Sequence, residues 1–262
     1  MRSRHGVVRT GILLAALIAA LAACGQDAPP PSEAAPEVPA SHDTITKIQA
    51  QLEQQKTFAF ETVNVSVDPA GKPVLGEIHG KGLVQKTPAA STLETSLQTD
   101  GQTLGDLIST TFVNGKGYAR ASTDEPWVEI ADDDANWANS IAQRDPSVVL
   151  VMLAASKDLK QIGQQKDNGV STTGYAGTFT TDQFDTLPIA NKAVLAGLKK
   201  VYAPEEASTA ITIEAWVDNA MLAQRLVLRW KTDQTAASPA LVTTVTCNLS
   251  KFNAPVDIKA PI

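Results

Sequence analysis

Few residues in this chain have the means to do chemistry: two cysteines, three histidines and the acidic run Asp132-Asp133-Asp134. A thiol can take an alkyl group, bind a metal or attack a carbonyl, and an imidazole is the usual proton carrier beside it. Their placement excludes most of that chemistry. His5 sits in a basic, apolar leader, His42 follows a proline-rich stretch, and His79 lies on a predicted strand among charged neighbours. A Ser-His-Asp constellation would have to use His79, and no Gly-x-Ser-x-Gly elbow holds a nucleophile for it. His42, His79 and one spare thiol do not make a zinc site, and the aspartate run lacks the alternation and glycine of a calcium loop. It reads instead as the cap of a helix. Cys247 falls on the apolar side of a strand and reads as a small buried hydrophobe. No glycine-rich phosphate cradle follows any strand. An enzyme is not expected, nor is a cofactor or a metal.

Cys24 is different because of what precedes it. A basic start (Arg2, Arg4, Arg9) leads into an apolar run from Gly11 to Ala20, too short to span a bilayer and laid out like a secretory leader. The run ends in Leu21-Ala22-Ala23-Cys24, which resembles the bacterial lipobox, where the cysteine thiol is alkylated with diacylglycerol and becomes the new N-terminus. The alternative is plain secretion with an incidental cysteine. With the lipobox, palmitate-type chains at roughly 0.8 kcal/mol per buried methylene hold the protein stably at the outer face of the cell membrane, where one chain would not.

The elements that must carry any function come after this junction. Residues 1–23 are expected to be the leader and 24–41 the lipidated cysteine with a disordered tether, since Gly25 to Ser41 holds five prolines and almost nothing to bury. Residues 42–262 are expected to form one domain, large enough for a sizeable core. Once Arg2, Arg4 and Arg9 leave with the leader, 19 basic residues face 28 acidic ones, a net charge of −9. That balance argues against nucleic acid as a partner. With Cys24 lipidated, only Cys247 remains, so no intrachain disulfide is available and the core must supply the stability.

Asp43 offers a cap to a helix carrying Ile45, Ile48 and Leu52 at helical spacing. The period then changes to two. Strands are predicted over Thr57–Val67, Gly76–Gln85, Ser91–Thr99, Leu104–Val113, Lys116–Ala121 and Trp127–Ile130, with Asn114-Gly115 the strongest hairpin signal. Gly76, Ile78, Gly80, Gly82 and Val84 share a face, which leaves room either for the sheet to bend or for something to lie against its backbone. A helix is expected after Asp132-Asp133-Asp134, over Ala135 to Gln143. Asp145-Pro146 opens another whose residues Ser147 to Ala155 are apolar on every side, so that it must be covered all round. Further strands are expected at Leu159–Gln165 and Val170–Thr180, a helix at Pro188–Val201, a hairpin pairing Ile211–Val217 with Leu226–Trp230, and a last strand from Leu241 to Leu249. The fold class expected is α+β: one curved antiparallel sheet, a half-barrel of about ten strands, with helices covering its concave side.

Such a sheet opposed by an all-apolar helix makes a hollow that side chains can fill or an apolar ligand can occupy. Periodicity alone does not separate the two. Candidate lining residues are Ile108, Thr110 and Phe112 on one strand and Val148, Val151 and Met152 on the apolar helix. Leu195 on the next helix and Ile211, Ile213, Leu226 and Leu228 on the late hairpin complete the set.

The order of short motifs carries a resemblance. Phe112-Val113-Asn114-Gly115-Lys116-Gly117-Tyr118 followed by Trp127-Val128 comes first, then Asp145-Pro146 and Tyr175-Ala176-Gly177-Thr178. Trp216-Val217-Asp218 with Leu222-Ala223-Gln224 follows, and the chain closes with Leu249-Ser250-Lys251-Phe252 and Pro255-Val256. Over about Ile45 to Ile262 this resembles the actinobacterial LppX/LprA/LprF/LprG lipoprotein family. The resemblance implies a half-barrel like that of LolA-type carriers, around an apolar cavity for acylated lipids or glycolipids. It further implies carriage or presentation of those lipids in the cell envelope, with a membrane lipid exporter as a candidate partner. The rival reading is a structural or interaction lipoprotein with a filled core.

One outcome tests the anchor. Cys24→Ala should abolish incorporation of radiolabelled fatty acid and leave an unprocessed or shed protein, while Cys247→Ala should do neither. A Cys24→Ala protein that still partitions into detergent as a mature form would overturn the lipobox.

Overall fold

The computed structural model describes residues 38–74, 76–130, 146–167, 169–189, 192–202, 208–233 and 239–262. Among these, the strands are β1 Val38–Pro39, β2 Thr57–Val67, β3 Glu77–Lys86, β4 Ala89–Thr99, β5 Gln102–Val113, β6 Lys116–Arg120 and β7 Val128–Ile130. The second group is β8 Lys160–Asp167, β9 Val170–Thr180, β10 Ala210–Val217, β11 Ala223–Thr232 and β12 Leu241–Ser250. They form a single antiparallel sheet in the order β1-β8-β9-β10-β11-β12-β2-β3-β4-β5-β6-β7. Three α-helices, α1 His42–Gln54, α2 Pro146–Ala154 and α3 Lys192–Tyr202, and a 3-10 turn at Thr181–Thr186 complete the described elements.

The strand predictions hold to within three residues at their ends, and the count rises from about ten to twelve. Val38-Pro39 was expected in the tether, yet it pairs with Gln161 and Lys160 of β8, and Ala40 N–H donates to the Leu159 carbonyl. Proline is tolerated there because this is the sheet edge, where a missing N–H leaves no ladder bond broken. Ser41 rather than Asp43 caps α1, its hydroxyl accepting from the Asp43 N–H at 3.1 Å, and Asp43 sits in the first turn. The helix expected from Pro188 is described from Lys192, and Thr181–Thr186 before it winds separately as a 3-10 turn, with Gln183 Oε1 accepting from the Thr180 N–H. Cys24 and the leader, Asp132-Asp133-Asp134 with the helix expected after it, Asp145 and Asn168 lie outside the described residues.

The predicted Asn114-Gly115 hairpin turn forms with left-handed backbone at φ 52° and 83°, and so does the turn at Asp100-Gly101, at 52° and 74°. The glycine face has a steric cause. A side chain at Gly82 would run into the Phe60 ring and the Thr92 carbonyl, and one at Gly80 into the Thr62 hydroxyl. The room the glycines leave is taken by Phe60 and Thr62 from the neighbouring strand.

The core lies on one face. Ile45, Ile48 and Leu52 of α1, Leu150, Met152 and Leu153 of α2, and Ile211, Ile213, Leu226 and Leu228 of β10 and β11 are nearly or fully buried together. His42 Nδ1 lies 2.8 Å from the Ala154 carbonyl, tying the first turn of α1 to the end of α2. Helix cover is therefore concentrated on the half of the sheet built from β8 to β12 and β2. Among the described residues it does not extend over the whole concave side, where helices were expected, and the same face of β3 to β5 keeps exposed apolar residues. The opposite, outer face is partly closed by the C-terminal tail, where Ile258 packs against Ala90 and Val113. The tail is fixed by Asn253, whose side chain accepts from the Lys56 N–H and donates to Gln55.

Replacing Gly82 by valine should cost about 1–3 kcal/mol through overpacking against Phe60. Gly115→Ala, strained only by its backbone, should cost less. Urea unfolding checks both, and a Gly82→Val protein as stable as the parent would refute the close contact.

Candidate functional site

The helix-facing side of the sheet is read strand by strand from the register. Asn64, Thr62, Phe60 and Phe58 of β2 stand opposite Val245, Cys247 and Leu249 of β12 on one side and Ile78, Gly80, Gly82 and Val84 of β3 on the other. Side chains directly opposite in a ladder share a face, so these residues form one continuous inner surface. Ser91, Leu93, Thr95 and Leu97 of β4, then Ile108, Thr110 and Phe112 of β5, extend it.

Between this surface and α2 lies a cavity of about 140 Å³. Phe60, Leu93, Leu226, Leu228, Trp230 and Val245 border it from the sheet, and Pro146 and Val149 from α2. Tyr202 at the end of α3 and the thiol of Cys247 are also on its wall. The polar groups are few: Thr62, Asn64 and Thr95. Burial pushes the Cys247 thiol up to about 12 and the Tyr202 phenol likewise to about 12, so both remain neutral at any ordinary pH. Among the described residues, the wall offers no charge to a ligand.

The cavity continues outward. Ile78, which borders it, is 41% exposed, and Leu97, Leu104 and Ile108 beside it are 39%, 48% and 50% exposed. Ile78 faces Leu97, and Leu97 faces Leu104, across adjacent strands. The result is an apolar strip along β3, β4 and β5 that no described helix covers. Gly105, at φ 75°, lies beside the register shift in β5 that brings Leu104 opposite Leu97.

The residues singled out from the sequence divide by position. Leu226 and Leu228 border the cavity, while Ile211, Ile213, Val148 and Met152 are buried in the core beneath the helices. Val151 and Leu195 are half-buried against that core. Ile108 lies on the exposed strip, and Thr110 and Phe112 share its face, half-buried. On α2, the residues that reach the cavity are Pro146 and Val149. Their outward turn is a rotation about the helix axis that an all-apolar sequence does not encode. The contribution of β2, β3 and β12 was signalled only by the glycine face opposite Phe60.

The potentially reactive groups stay apart. His79 pairs with Glu77 at 2.8 Å on the sheet surface, and His42 serves as the link between α1 and α2. Among the described residues no three His, Cys, Asp or Glu side chains converge as a metal site would require.

No protein-family model matches the chain, and no curated protein matches it. Solved structures do. The crystal structure of the lipoprotein LppX from Mycobacterium tuberculosis superposes with a TM-score of 0.51 at 12% identity, over 83% of this chain and 97% of that one. LprF from Mycobacterium bovis gives 0.49 at 15% identity, over 84% and 96%. A LolA superfamily protein from Nitrosomonas europaea gives 0.34 at 5% identity, over 83% and 95%. This chain has the LppX fold, in agreement with the resemblance carried by its motif order.

The thiol gives a test of the wall. In folded protein, maleimide labelling of Cys247 should be slower than in urea by at least about a hundredfold. Because the folded thiol ionises only near 12, its rate should keep rising with pH through 9 without a plateau. Fast labelling of folded protein, or a plateau near the ordinary thiol value, would place Cys247 outside a closed apolar wall.

Proposed function

We propose that this protein is a membrane-anchored lipoprotein that shields the acyl chains of a lipid or glycolipid from water and carries or presents it in the cell envelope. The observation that carries the reading is the neutral apolar cavity against α2 running out into the uncovered strip of Ile78, Leu97, Leu104 and Ile108. Exposed apolar side chains arranged as one continuous patch, rather than scattered singly, mark a surface meant to be covered. The cavity takes the end of a chain: a space near 150 Å³ holds a molecule the size of benzene. The remainder lies along the strip. At about 0.8 kcal/mol for each methylene withdrawn from water, a single chain binds without any polar contact, and selectivity falls to whatever meets the headgroup.

Anchoring through Cys24 would keep the domain at the outer face of the cell membrane, where lipid can pass to it from a membrane exporter. The rival, a lipoprotein with a filled core that acts through its outer surface, draws on the modest size of the cavity. The two differ in what lipid does.

Delipidated protein offered phospholipid or diacylglycerol, and examined by native mass spectrometry, should take up lipid. Val149→Trp, which fills the cavity, should reduce uptake by at least about tenfold while leaving the melting temperature near that of the parent, because the new ring occupies empty space rather than overpacking. Ile108→Asp should weaken uptake through the strip with little effect on stability. Absence of uptake by the parent, together with marked destabilisation by Val149→Trp, would establish the filled core instead.

A further inference from the structure

The outer face of the sheet holds a second feature. Trp216, Arg225, Asn248, Glu61, Lys81, Glu94, Ser109 and Arg120 follow one another as direct cross-strand partners, a single row crossing eight strands from β10 to β6. An arginine rests against an indole at each end: Arg225 lies 5.2 Å from the Trp216 ring centroid and Arg120 4.9 Å from that of Trp127. Among the described residues, the three buried side-chain polar atoms with no hydrogen-bond partner are Ser109 Oγ, Arg120 Nε and Arg225 Nε, and all three belong to this row. Buried polar atoms are almost always satisfied, so three exceptions on one line mark a place where the described residues leave hydrogen-bonding capacity open to a ligand.

The β2-to-β6 half of the row borders an open groove of about 390 Å³, with Trp127, Ser250 and Lys251 on its rim. Ser109, only 4% exposed, and Arg120 line that groove. From Glu61 to Arg120 the row spans four strand spacings, about 19 Å. Its charges nearly balance: Glu61 and Glu94 stand against Lys81, Arg120 and Lys251, and Lys81 already pairs with Glu94 at 3.1 Å. An anionic ligand would meet both glutamates and a cationic one the three basic groups. An uncharged ligand with many hydroxyls, each able to donate and to accept, suits alternating donors and acceptors, and the negative face of an indole attracts the C–H patch of a pyranose ring.

We infer that this groove binds a neutral oligosaccharide chain of a few sugar units, with Trp127 as stacking platform and Ser109, Arg120, Lys81 and Glu94 as its polar floor. The site lies on the face opposite the lipid cavity and stands or falls independently of the lipid reading. In the experiment, mature protein is titrated calorimetrically with maltotetraose, cellotetraose, chitotetraose and mannotetraose, and separately with short polyglutamate and polylysine peptides. Saturable binding of at least one tetrasaccharide is expected. Trp127→Ala should weaken it by about tenfold, and Ser109→Ala and Arg120→Lys by several-fold, with lipid uptake unchanged in all three. Should Arg120→Lys unfold, the double variant Lys81→Ala and Glu94→Gln, at one exposed and one half-buried position, replaces it and should weaken binding likewise. Failure of all four sugars to bind overturns the inference. So does sugar binding insensitive to Trp127→Ala, or tighter binding of either charged peptide.

Discussion

A helix with no polar side can exist in water only if it is enclosed, and Pro146–Ala154 is such a helix. Val148, Leu150, Met152 and Leu153 are buried, and no rotation about its axis would present a wetted face. The rest of the architecture answers that demand. The sheet supplies Ile211, Ile213, Leu226 and Leu228 beneath it, α1 packs along it with Ile45 and Ile48, and His42 closes its last turn by bonding Ala154. Where this enclosure falls short, at Val149, the cavity begins.

That same enclosure makes the two halves of the sheet unequal. With the described helices gathered over β8 to β12 and β2, the inner face of β3 to β5 has no comparable cover among the described residues, although the sheet itself continues from one half to the other. One continuous sheet thus carries a packed core at one end and an exposed apolar strip at the other. The junction between them is where neutral walls, a shielded thiol and the glycine-backed rings of Phe60 and its neighbours meet. Apolar residues do opposite work on the two sides of that junction: stability where they are enclosed, and a surface for a water-insoluble partner where they are not.

The outer face follows a different logic. Its polar row is held in register by the strands that carry the core on their other side, since alternation sends odd and even positions to opposite faces. Substitutions on one face therefore need not disturb the other. Two unrelated surfaces can be displayed by one sheet because the period of a strand is two.

Much of the architecture was legible from local pattern, because local pattern is what hydrogen-bond geometry enforces. Asn114-Gly115 could only be a tight hairpin, since both residues must take positive φ. Ile45, Ile48 and Leu52 could only line one side of a helix, and alternation marked the strands from Thr57 to Leu249 with small errors at their ends. Neither Val38-Pro39 as an edge strand nor the short turn at Thr181–Thr186 was visible, because each depends on a distant partner or on packing rather than on its own composition. What no stretch of sequence contains is which side of an all-apolar helix meets the sheet, how far helices extend over a twelve-stranded surface, or which eight residues on eight strands stand in one row. Those are set by register and by rotation of whole elements, which arise only when segments far apart in the chain compete to bury the same area. The sequence by itself determined the type and approximate bounds of most of the described elements. The tertiary structure alone decided that Val149 rather than Val148 reaches the cavity, that Ile108 lies bare, and that Ser109 and Arg120 share a groove with Trp127.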